Sequence, residues 1–136
     1  MSVTDAVQVA MVQALRADAA LAALVGDRVY DRVPTGAAHP YVSLGPEDWP
    51  QRHGACMALL EGVVQIDVWS RDVGRREAKQ IVDRIVEIFD GADLALAAPY
   101  RGLGTEIAMR GRIMEDRDGL TIHGVVQIAV MAEAAV

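Results

Sequence analysis

Three histidines and one cysteine are the side chains of this chain best suited to metal binding or nucleophilic catalysis. The histidines, His39, His53 and His123, lie far apart, and none is at a metal-ligand spacing from another histidine or from Cys56. His53 is near Cys56 in sequence, but a catalytic thiol also needs an orienting acid and an oxyanion hole, and no motif marks either. We therefore interpret Cys56 as a small buried or semi-exposed thiol and His123 as a packed or exposed strand residue without a catalytic role.

Carboxylates are the next candidates for acid–base chemistry. The pair Glu47–Asp48 falls in a predicted loop, and the aspartates of 116–118 fall in a predicted turn, where Asp is favoured by the backbone. Asp67 is different because it lies within a predicted strand, beside Trp69. Two interpretations of Asp67 stay open: an exposed strand face, or a polar contact with a neighbouring subunit.

The glycines form no ligand-binding motif, whereas two arginines are suited to a protein partner. The glycines near Gly102 and Gly104 do not form a phosphate-binding loop, because none follows a strand and opens a helix. Arg110 and Arg112 are predicted to share one strand face, which is suited to an acidic partner. The sequence thus predicts no enzymatic activity, no cofactor and no metal site, and favours a protein that binds other protein subunits.

Composition and charge narrow the functional class. The 136 residues are enough for one domain, 1–136, with a real hydrophobic core. Thirteen basic and 19 acidic residues give a formal charge of −6, which disfavours nucleic-acid binding but suits a surface that DNA slides past. With no secretion signal and no apolar run of ~20 residues, we expect a soluble protein made in the cytoplasm.

Hydrophobic periodicity predicts the helices. Val7, Met11 and Leu15 share one helical face, and Asp18 is placed to cap a second helix that ends at Gly26. The sequence leaves open whether these are two helices or one kinked helix. A third helix, capped by Ser70 or Asp72, is predicted to run to about residue 90 with an apolar stripe at helical spacing.

Alternating residues predict the strands. Extended segments are expected at 29–31, 41–45 and 61–69, and a hairpin at 105–115 and 120–132 around an Asp-Gly turn. In the first hairpin strand the apolar face is predicted to hold Ile107, Met109 and Ile113, and the polar face Glu106, Arg110 and Arg112. In the second strand the apolar face is predicted to hold Leu120, Ile122, Val126, Ile128 and Val130, and the polar face Thr121, His123 and Gln127. The predicted fold class is α+β: a mostly antiparallel sheet with two main helices packed on one face. Residues 46–60 and 92–104 lack periodicity and are predicted as loops. We expect the first loop to be mobile and functional.

With this order of elements, the chain resembles the tail-completion family of long-tailed phages, which are head-to-tail joining or tail-terminator proteins. Similar proteins occur in prophages and gene transfer agents. The likeness spans nearly the whole chain and rests on the joint order of four stretches: 15–30, 39–45, 64–70 with the helix after it, and 115–123, the last reading Glu-Asp-Arg-Asp-Gly-Leu-Thr-Ile-His.

The resemblance implies a function without a catalytic motif. It implies a homo-oligomeric ring, a hexamer, that caps the tail tube and docks onto the head–tail connector or neck protein. DNA would pass through the lumen without specific binding, and no membrane would be involved. The expected location is the tail–neck junction of the virion, after synthesis in the bacterial cytoplasm.

Two sets of residues are candidates for these contacts, because aromatic side chains and arginine are favoured interface anchors. The subunit-interface candidates are Gln65, Asp67, Trp69, Arg110 and Arg112. The candidates for contact with the tail tube or neck are the loop residues Glu47, Asp48, Trp49, Arg52 and His53. An alternative function is another head-completion or minor tail protein of similar size. A small hydrolase and a nucleic-acid-binding regulator are further alternatives.

Overall fold

The computed structural model describes residues 1–51 and 59–134. Within these residues the chain forms three helices and five strands, which confirms the predicted α+β class. Their bounds are α1 Val3–Ala17, α2 Ala19–Val25, β1 Val29–Tyr30, β2 Tyr41–Asp48, β3 Leu59–Ser70, α3 Arg76–Phe89, β4 Tyr100–Glu115 and β5 Ile122–Ala134.

The strands form one sheet in the order β1-β2-β3-β5-β4. Neighbours are antiparallel except β1, which pairs parallel with β2. β3 is central and pairs with β5 along its whole length, from Leu59 opposite Glu133 to Ser70 opposite Ile122. β4 is an edge strand and pairs with β5. These two strands form the predicted hairpin and are the longest strands of the sheet.

The first two helices are separate, because Asp18 is extended at φ −80° and ψ 116° and ends α1 as it begins α2. Ser2 caps α1 in a capping box with Asp5. The Asp18 carboxylate caps α2, as predicted, by accepting the N–H of Leu21 at 2.8 Å. Gly26 ends α2 at φ 63°. Among the described helices, no single helix is long and apolar enough to cross a membrane. Only α1 and α2 taken together reach that length, and their axes are bent by 79° at the break between them.

The hydrophobic core lies between the helices and one face of the sheet. The predicted faces of α1 and α3 are buried there, and Phe89, Met11 and Ile66 are among its largest fully buried side chains. Each such side chain contributes roughly 1.5–3 kcal/mol to folding by leaving water. The remaining core residues include Val7, Leu15, Leu21, Val25, Val42, Val64, Val68, Ile81, Ile85, Val126 and Ile128.

Helix α3 approaches the β4–β5 hairpin closely at two glycines. A Cβ at Gly124 would lie 2.8 Å from Val82 Cγ2, and one at Gly111 would lie 3.0 Å from Val82 Cγ1. Both distances are shorter than ordinary carbon–carbon contact, so a side chain at either position would push α3 away from the sheet. The glycines thus set how tightly the helix packs on the hairpin.

The predicted cap of α3 is wrong. The N-cap residue is Arg75, without a side-chain capping bond, and the helix begins at Arg76. The Ser70 hydroxyl instead donates to Glu77 Oε1 at 2.8 Å and accepts the N–H of Asp72 at 3.2 Å. Ser70 therefore fixes the bend between β3 and α3. Glu77 lies in the first turn of α3, where a negative charge interacts favourably with the helix dipole.

Both predicted loops are too long, because strand pairing continues through residues without clear alternation. β2 runs to Asp48, and a register shift between Leu44 and Glu47 absorbs Pro46. Such an irregularity hides the period of two that sequence patterns depend on. β4 likewise begins at Tyr100, five residues before its predicted start. The first loop was predicted to be mobile over residues 46–60, and residues 52–58 of it lie outside the described residues.

The predicted faces of the hairpin are partly wrong. Register shifts between Ile107 and Met109 and between Met109 and Arg112 break the alternation of β4. Met109 therefore lies opposite Gln127, whereas Ile107 lies opposite Ile128 in the core. At the other end of the turn, Leu120 is 67% exposed rather than part of the β5 stripe.

The turn itself is as predicted, with Gly119 at φ 70°. Asp118 organises it: its carboxylate accepts the Thr121 hydroxyl at 2.6 Å and the N–H groups of Leu120 and Thr121. Thr121 is consequently buried, although the strand pattern had placed it on the exposed face.

Candidate protein-contact surface

The sheet has a second face, opposite the helices, which we call the outer face. In β3 the core side chains Val64, Ile66 and Val68 alternate with outer ones. Cross-strand register extends the outer face over four strands, because opposed residues share a face. Its two central rows are Tyr41–Trp69–His123–Met114 and Ser43–Asp67–Val125–Arg112.

A buried carboxylate lies at the centre of the outer face. Asp67 is only 6% exposed, and its Oδ1 accepts Gln65 Nε2 at 2.9 Å and contacts His123 Nε2 at 2.7 Å. Gln127 Nε2 donates to Gln65 Oε1 at 3.3 Å and extends the network to β5. A Cβ on Gly45 would collide with Asp67 Oδ2, so the missing side chain makes room for the carboxylate.

Aromatic rings flank this network. Trp69 stacks on His123, with ring centroids 3.9 Å apart and planes 9° from parallel, and its Nε1 donates to Ser43 Oγ at 3.0 Å. Tyr41 continues the row, with its ring centroid 6.4 Å from that of Trp69. The His39 ring lies next to Tyr41, with a centroid distance of 4.9 Å. Burial lowers the pKa of His39 and raises that of Tyr41, so both rings are uncharged at neutral pH.

The network is not arranged as a catalytic site. Ser43, the hydroxyl in register with Asp67, is held by Trp69, and the bonds of His123 and Gln65 are directed to the carboxylate. Among the described residues no group of three or more His, Cys, Asp or Glu is placed to hold a metal ion. Every buried side-chain nitrogen and oxygen in the described part has a hydrogen-bond partner. The cluster therefore stabilises a face of defined shape.

One end of the outer face forms a groove of about 790 Å³, which we call the acidic groove. Its lining includes four carboxylate residues, Asp48, Glu61, Asp93 and Glu106, and its described lining contains no Lys, Arg or His. Leu103 and Met131, each 38% exposed, also line it, together with Val63 and Ala129. Partly exposed apolar side chains beside polar ones are typical of protein contacts.

The edge strand β4 is the other conspicuous surface. Thr105 is the one buried residue in its 16. The edge is paired at this point, because Thr105 donates its N–H to Ala92 O at 2.9 Å and accepts the N–H of Gly91 at 3.1 Å. Farther along, Arg110 and Arg112 are exposed and, within the described part of the chain, have no ion-pair partner. An exposed edge strand can pair with another chain, and charged side chains and bulges on it restrict which chain can do so.

A family model described as tail completion protein gp17 matches residues 9–133 of the chain. The chain belongs to this family. The resemblance inferred from the sequence is thereby confirmed, as is the expected location in the virion tail. A tail completion protein is a structural component of a phage-like particle, and it associates with other tail and head–tail proteins.

The solved structures similar to this tail completion protein include a virion chain and a phage protein. A chain in the virion of a native gene transfer agent particle has 34% sequence identity, with 98% of each chain covered and a TM-score of 0.87. The gp17 protein of bacteriophage SPP1 has the same fold, with a TM-score of 0.61, 20% identity, and coverage of 94% of this chain and 89% of that one. Among curated protein sequences, none matches.

Of the residues predicted for subunit contact in this tail completion protein, Gln65, Asp67 and Trp69 do share the outer face. Asp67 is buried by partners within the chain, so the interpretation of an exposed strand face is wrong for it. Arg112 also lies on the outer face, opposite Val125, but the bulge leaves Arg110 and Gly111 together opposite Val126. The predicted shared face of the two arginines is therefore not a regular strand face.

The residues predicted for tail-tube or neck contact separate into two groups. Glu47 and Asp48 are exposed at the end of β2, whereas Trp49 packs against the core over Gly62 and donates its Nε1 to Glu47 at 3.1 Å. Arg52 and His53 lie outside the described residues, as does Cys56.

Sequence reasoning missed His123 and Gln127 as members of the outer-face network. Their strand alternation had placed them on the polar side of β5, which is correct. The missing information was the register between β3 and β5, which sets His123 opposite Trp69 and Gln127 opposite Gln65. An Asp-x-Trp strand and a His-x-x-x-Gln strand, both with polar outer positions, were the available signal.

Proposed function

We propose that this tail completion protein forms a closed homo-oligomeric ring, a hexamer, that caps the tail tube and joins it to the head–tail connector. The protein would act by binding alone, with no reaction catalysed. Growth of the tube would stop because the ring covers its last layer, and DNA would pass through the lumen.

The observation that carries this proposal is the family match over residues 9–133, with its description as a tail completion protein. The likeness to a chain of a gene transfer agent virion, at 34% identity over 98% of the chain, supports assembly into a particle of this kind. The formal charge of −6 supports a lumen that repels the DNA phosphates and lets DNA slide.

The surfaces of the chain also support a ring. A ring needs two different patches on each subunit, so that each copy contacts the next head to tail. The acidic groove and the arginine-bearing part of β4 differ in charge and are formed by different residues, as the two sides of such a contact would be. The outer-face network adds polar side chains that are held by hydrogen bonds within the chain.

The test uses purified protein alone and with purified tail-tube protein. Native mass spectrometry and negative-stain electron microscopy are expected to show rings, formed by the protein alone or only on tube ends. Tubes polymerised with the protein are expected to have a narrower length distribution than tubes polymerised without it. A protein that stays monomeric in both conditions and leaves tube length unchanged would refute the proposal and favour another tail or head-completion role.

A further inference from the structure

Two loops meet at one end of the sheet, where β3 ends and β5 begins. They are residues 71–75, between β3 and α3, and residues 116–121, the hairpin turn. Arg71 joins them, because its Nε donates to the Thr121 hydroxyl at 3.2 Å and its Nη2 lies 3.8 Å from Asp118 Oδ2. The two loops therefore form one surface, which we call the loop pair.

The loop pair exposes one large apolar side chain from each loop. Val73 is 97% exposed and Leu120 is 67% exposed. Among the described residues, Met1 is the one other large apolar residue above 44%. The backbone beneath both side chains is held in place, because the N–H of Val73 donates to Asp72 Oδ1 and that of Leu120 to Asp118 Oδ1, each at 2.9 Å. Apolar side chains presented by an ordered backbone lose little conformational entropy when a partner covers them.

The charges that the loop pair leaves for a partner are mainly positive. The carboxylates of Asp72 and Asp118 accept hydrogen bonds from their own loops. Arg76 and Arg117 are exposed, and neither has an ion-pair partner within residues 1–51 and 59–134. Asp116 is the exposed carboxylate of the turn that opposes them. The surface thus fits a protein partner with a shallow apolar pocket and carboxylates at its rim.

The loop pair is too small to hold two proteins together by itself. Its loops have five and six residues, whereas each side of a stable pairwise interface contributes about 20–30 residues. A contact of this size becomes strong when several copies bind at once, because each later contact is intramolecular. In a closed ring every subunit presents the same surface in the same orientation to the axis. The loop pair therefore suits a contact between a ring and a repeating surface.

We propose that Val73 and Leu120 anchor each subunit of the ring to the last layer of the tail tube, with Arg117 pairing with a carboxylate there. This inference rests on the proposed function and names the residues that cap the tube. The family is described by completion of the tail, which favours the tube over the connector as the partner. The other end of the sheet, where Glu47 and Asp48 are exposed, is then left for the connector.

The experiment compares tube capping by full-length variants. Val73→Ser/Leu120→Ser removes both anchors at exposed positions, so urea denaturation and ring formation in native mass spectrometry should match the wild type. The protein concentration at which half of the tube ends carry a ring is expected to rise by roughly tenfold or more, because the loss recurs in every subunit. Negative-stain electron microscopy of tubes made from purified tail-tube protein measures it. The matched control, Val9→Ser/Val33→Ser, changes two exposed apolar residues on α1 and after β1 and should cap like the wild type.

The charged part of the contact is tested separately. Arg117→Glu is expected to raise the same concentration several-fold, because a carboxylate then faces the carboxylates of the partner. Added NaCl should weaken capping by the wild type but not by Arg117→Glu, since salt screens attraction in the first and repulsion in the second. The control is Arg32→Glu, an exposed arginine after β1 that also has no ion pair in the described part of the chain. Unchanged capping by Arg117→Glu would refute the predicted carboxylate.

Each outcome has a distinct meaning. Normal capping by Val73→Ser/Leu120→Ser would overturn this inference and leave the proposed function standing, and loss of binding to purified connector protein would then assign the loop pair to the connector. Loss of ring formation in that variant would also overturn it, because the loops would contact another subunit. The same holds if the Val9→Ser/Val33→Ser control lost capping equally. If the double variant is less stable, its two single variants are compared at equal folded concentration. A wild type that never binds tube ends would refute the proposed function itself.

Discussion

His123 Nε2 lies 2.7 Å from Asp67 Oδ1, joining two central strands across the outer face of the sheet. The carboxylate also accepts Gln65 Nε2, and the histidine ring is stacked on Trp69. Because Asp67 is 6% exposed, its polar atoms depend on these partners rather than on bulk water. The cluster links a contact surface to the stability of the sheet beneath it.

Replacing His123 tests this dependence. His123→Ala removes a hydrogen-bond partner of a buried carboxylate and the ring stacked on Trp69, and is expected to lower the free energy of unfolding by roughly 1–3 kcal/mol. Urea denaturation followed by tryptophan fluorescence measures the change. Arg117→Ala, in the exposed turn, should stay close to the wild type. Equal stability of His123→Ala and wild type would show that the pair contributes nothing.

Gly45 makes room for the same carboxylate. Gly45→Ala places a methyl group against Asp67 Oδ2 and is expected to destabilise the protein by roughly 1–3 kcal/mol through overpacking. In an Asp67→Ala background the collision with Oδ2 is removed and only the close contacts with Gln65 Cγ and Cβ, at 3.1 and 3.2 Å, remain, so the added cost of Gly45→Ala should be smaller than in the wild type. The measurement is a double-mutant cycle in urea. Additive costs would place the strain at Gln65 or in the backbone instead of at the carboxylate.

The turn at 116–119 makes stability depend on acid pH. Hydrogen bonds from the Thr121 hydroxyl, the Leu120 N–H and the Thr121 N–H lower the pKa of Asp118 from 3.8 to about 2. Since the folded pKa lies below the unfolded one, the ionised group stabilises the fold above pH 3.8, and this contribution is lost as the pH falls toward about 2.

Asp118→Asn should therefore have a lower Tm than the wild type at neutral pH. The difference should shrink as the pH falls through that window, because only the wild type has this contribution to lose. Thermal denaturation from neutral pH to pH 2 measures it. Asp116→Asn, in the same turn, is the control. A Tm difference that stays constant over this range would contradict the assigned pKa.

The order of elements was predictable because most of the chain keeps a strong period. The stripe of α3 and the alternation of β3 are long, regular and flanked by turn residues, so local sequence specifies them. Predictions were wrong where the local sequence pattern does not match the contacts made in the fold. These places are Pro46 within β2, the bulges around Met109, and Ser70, which binds Glu77 instead of capping α3.

The contact surface was predictable only in part, for a related reason. Gln65, Asp67 and Trp69 share a face by their spacing in one strand, so the sequence locates them together. Their partners in β5 depend on inter-strand register, which one sequence does not encode locally. The acidic groove combines side chains from β2, β3, β4 and β5 and the segment after α3, and no local pattern predicts such an assembly.

Asp18 lies between α1 and α2 and contacts α3, and it has two roles, as a helix cap and as an ion-pair partner. Its carboxylate caps α2 by accepting the N–H of Leu21, and it also binds Arg84 of α3 through two hydrogen bonds, of 2.8 and 2.7 Å. The bonds from Arg84 are the main cause that lowers the pKa of Asp18, so the ionised form is stabilised in the fold.

Asp18→Asn keeps an N-cap oxygen and removes the charge, whereas Asp18→Ala removes both. Asp18→Ala is expected to cost about 1 kcal/mol more than Asp18→Asn in urea denaturation, the typical value of an N-cap. Wild-type stability should fall as the pH drops below the ordinary Asp value of 3.8, and less steeply in Asp18→Asn. If the two variants were equally stable, the cap would be dispensable, and the attachment of α2 to α3 would rest on the ion pair and the core alone.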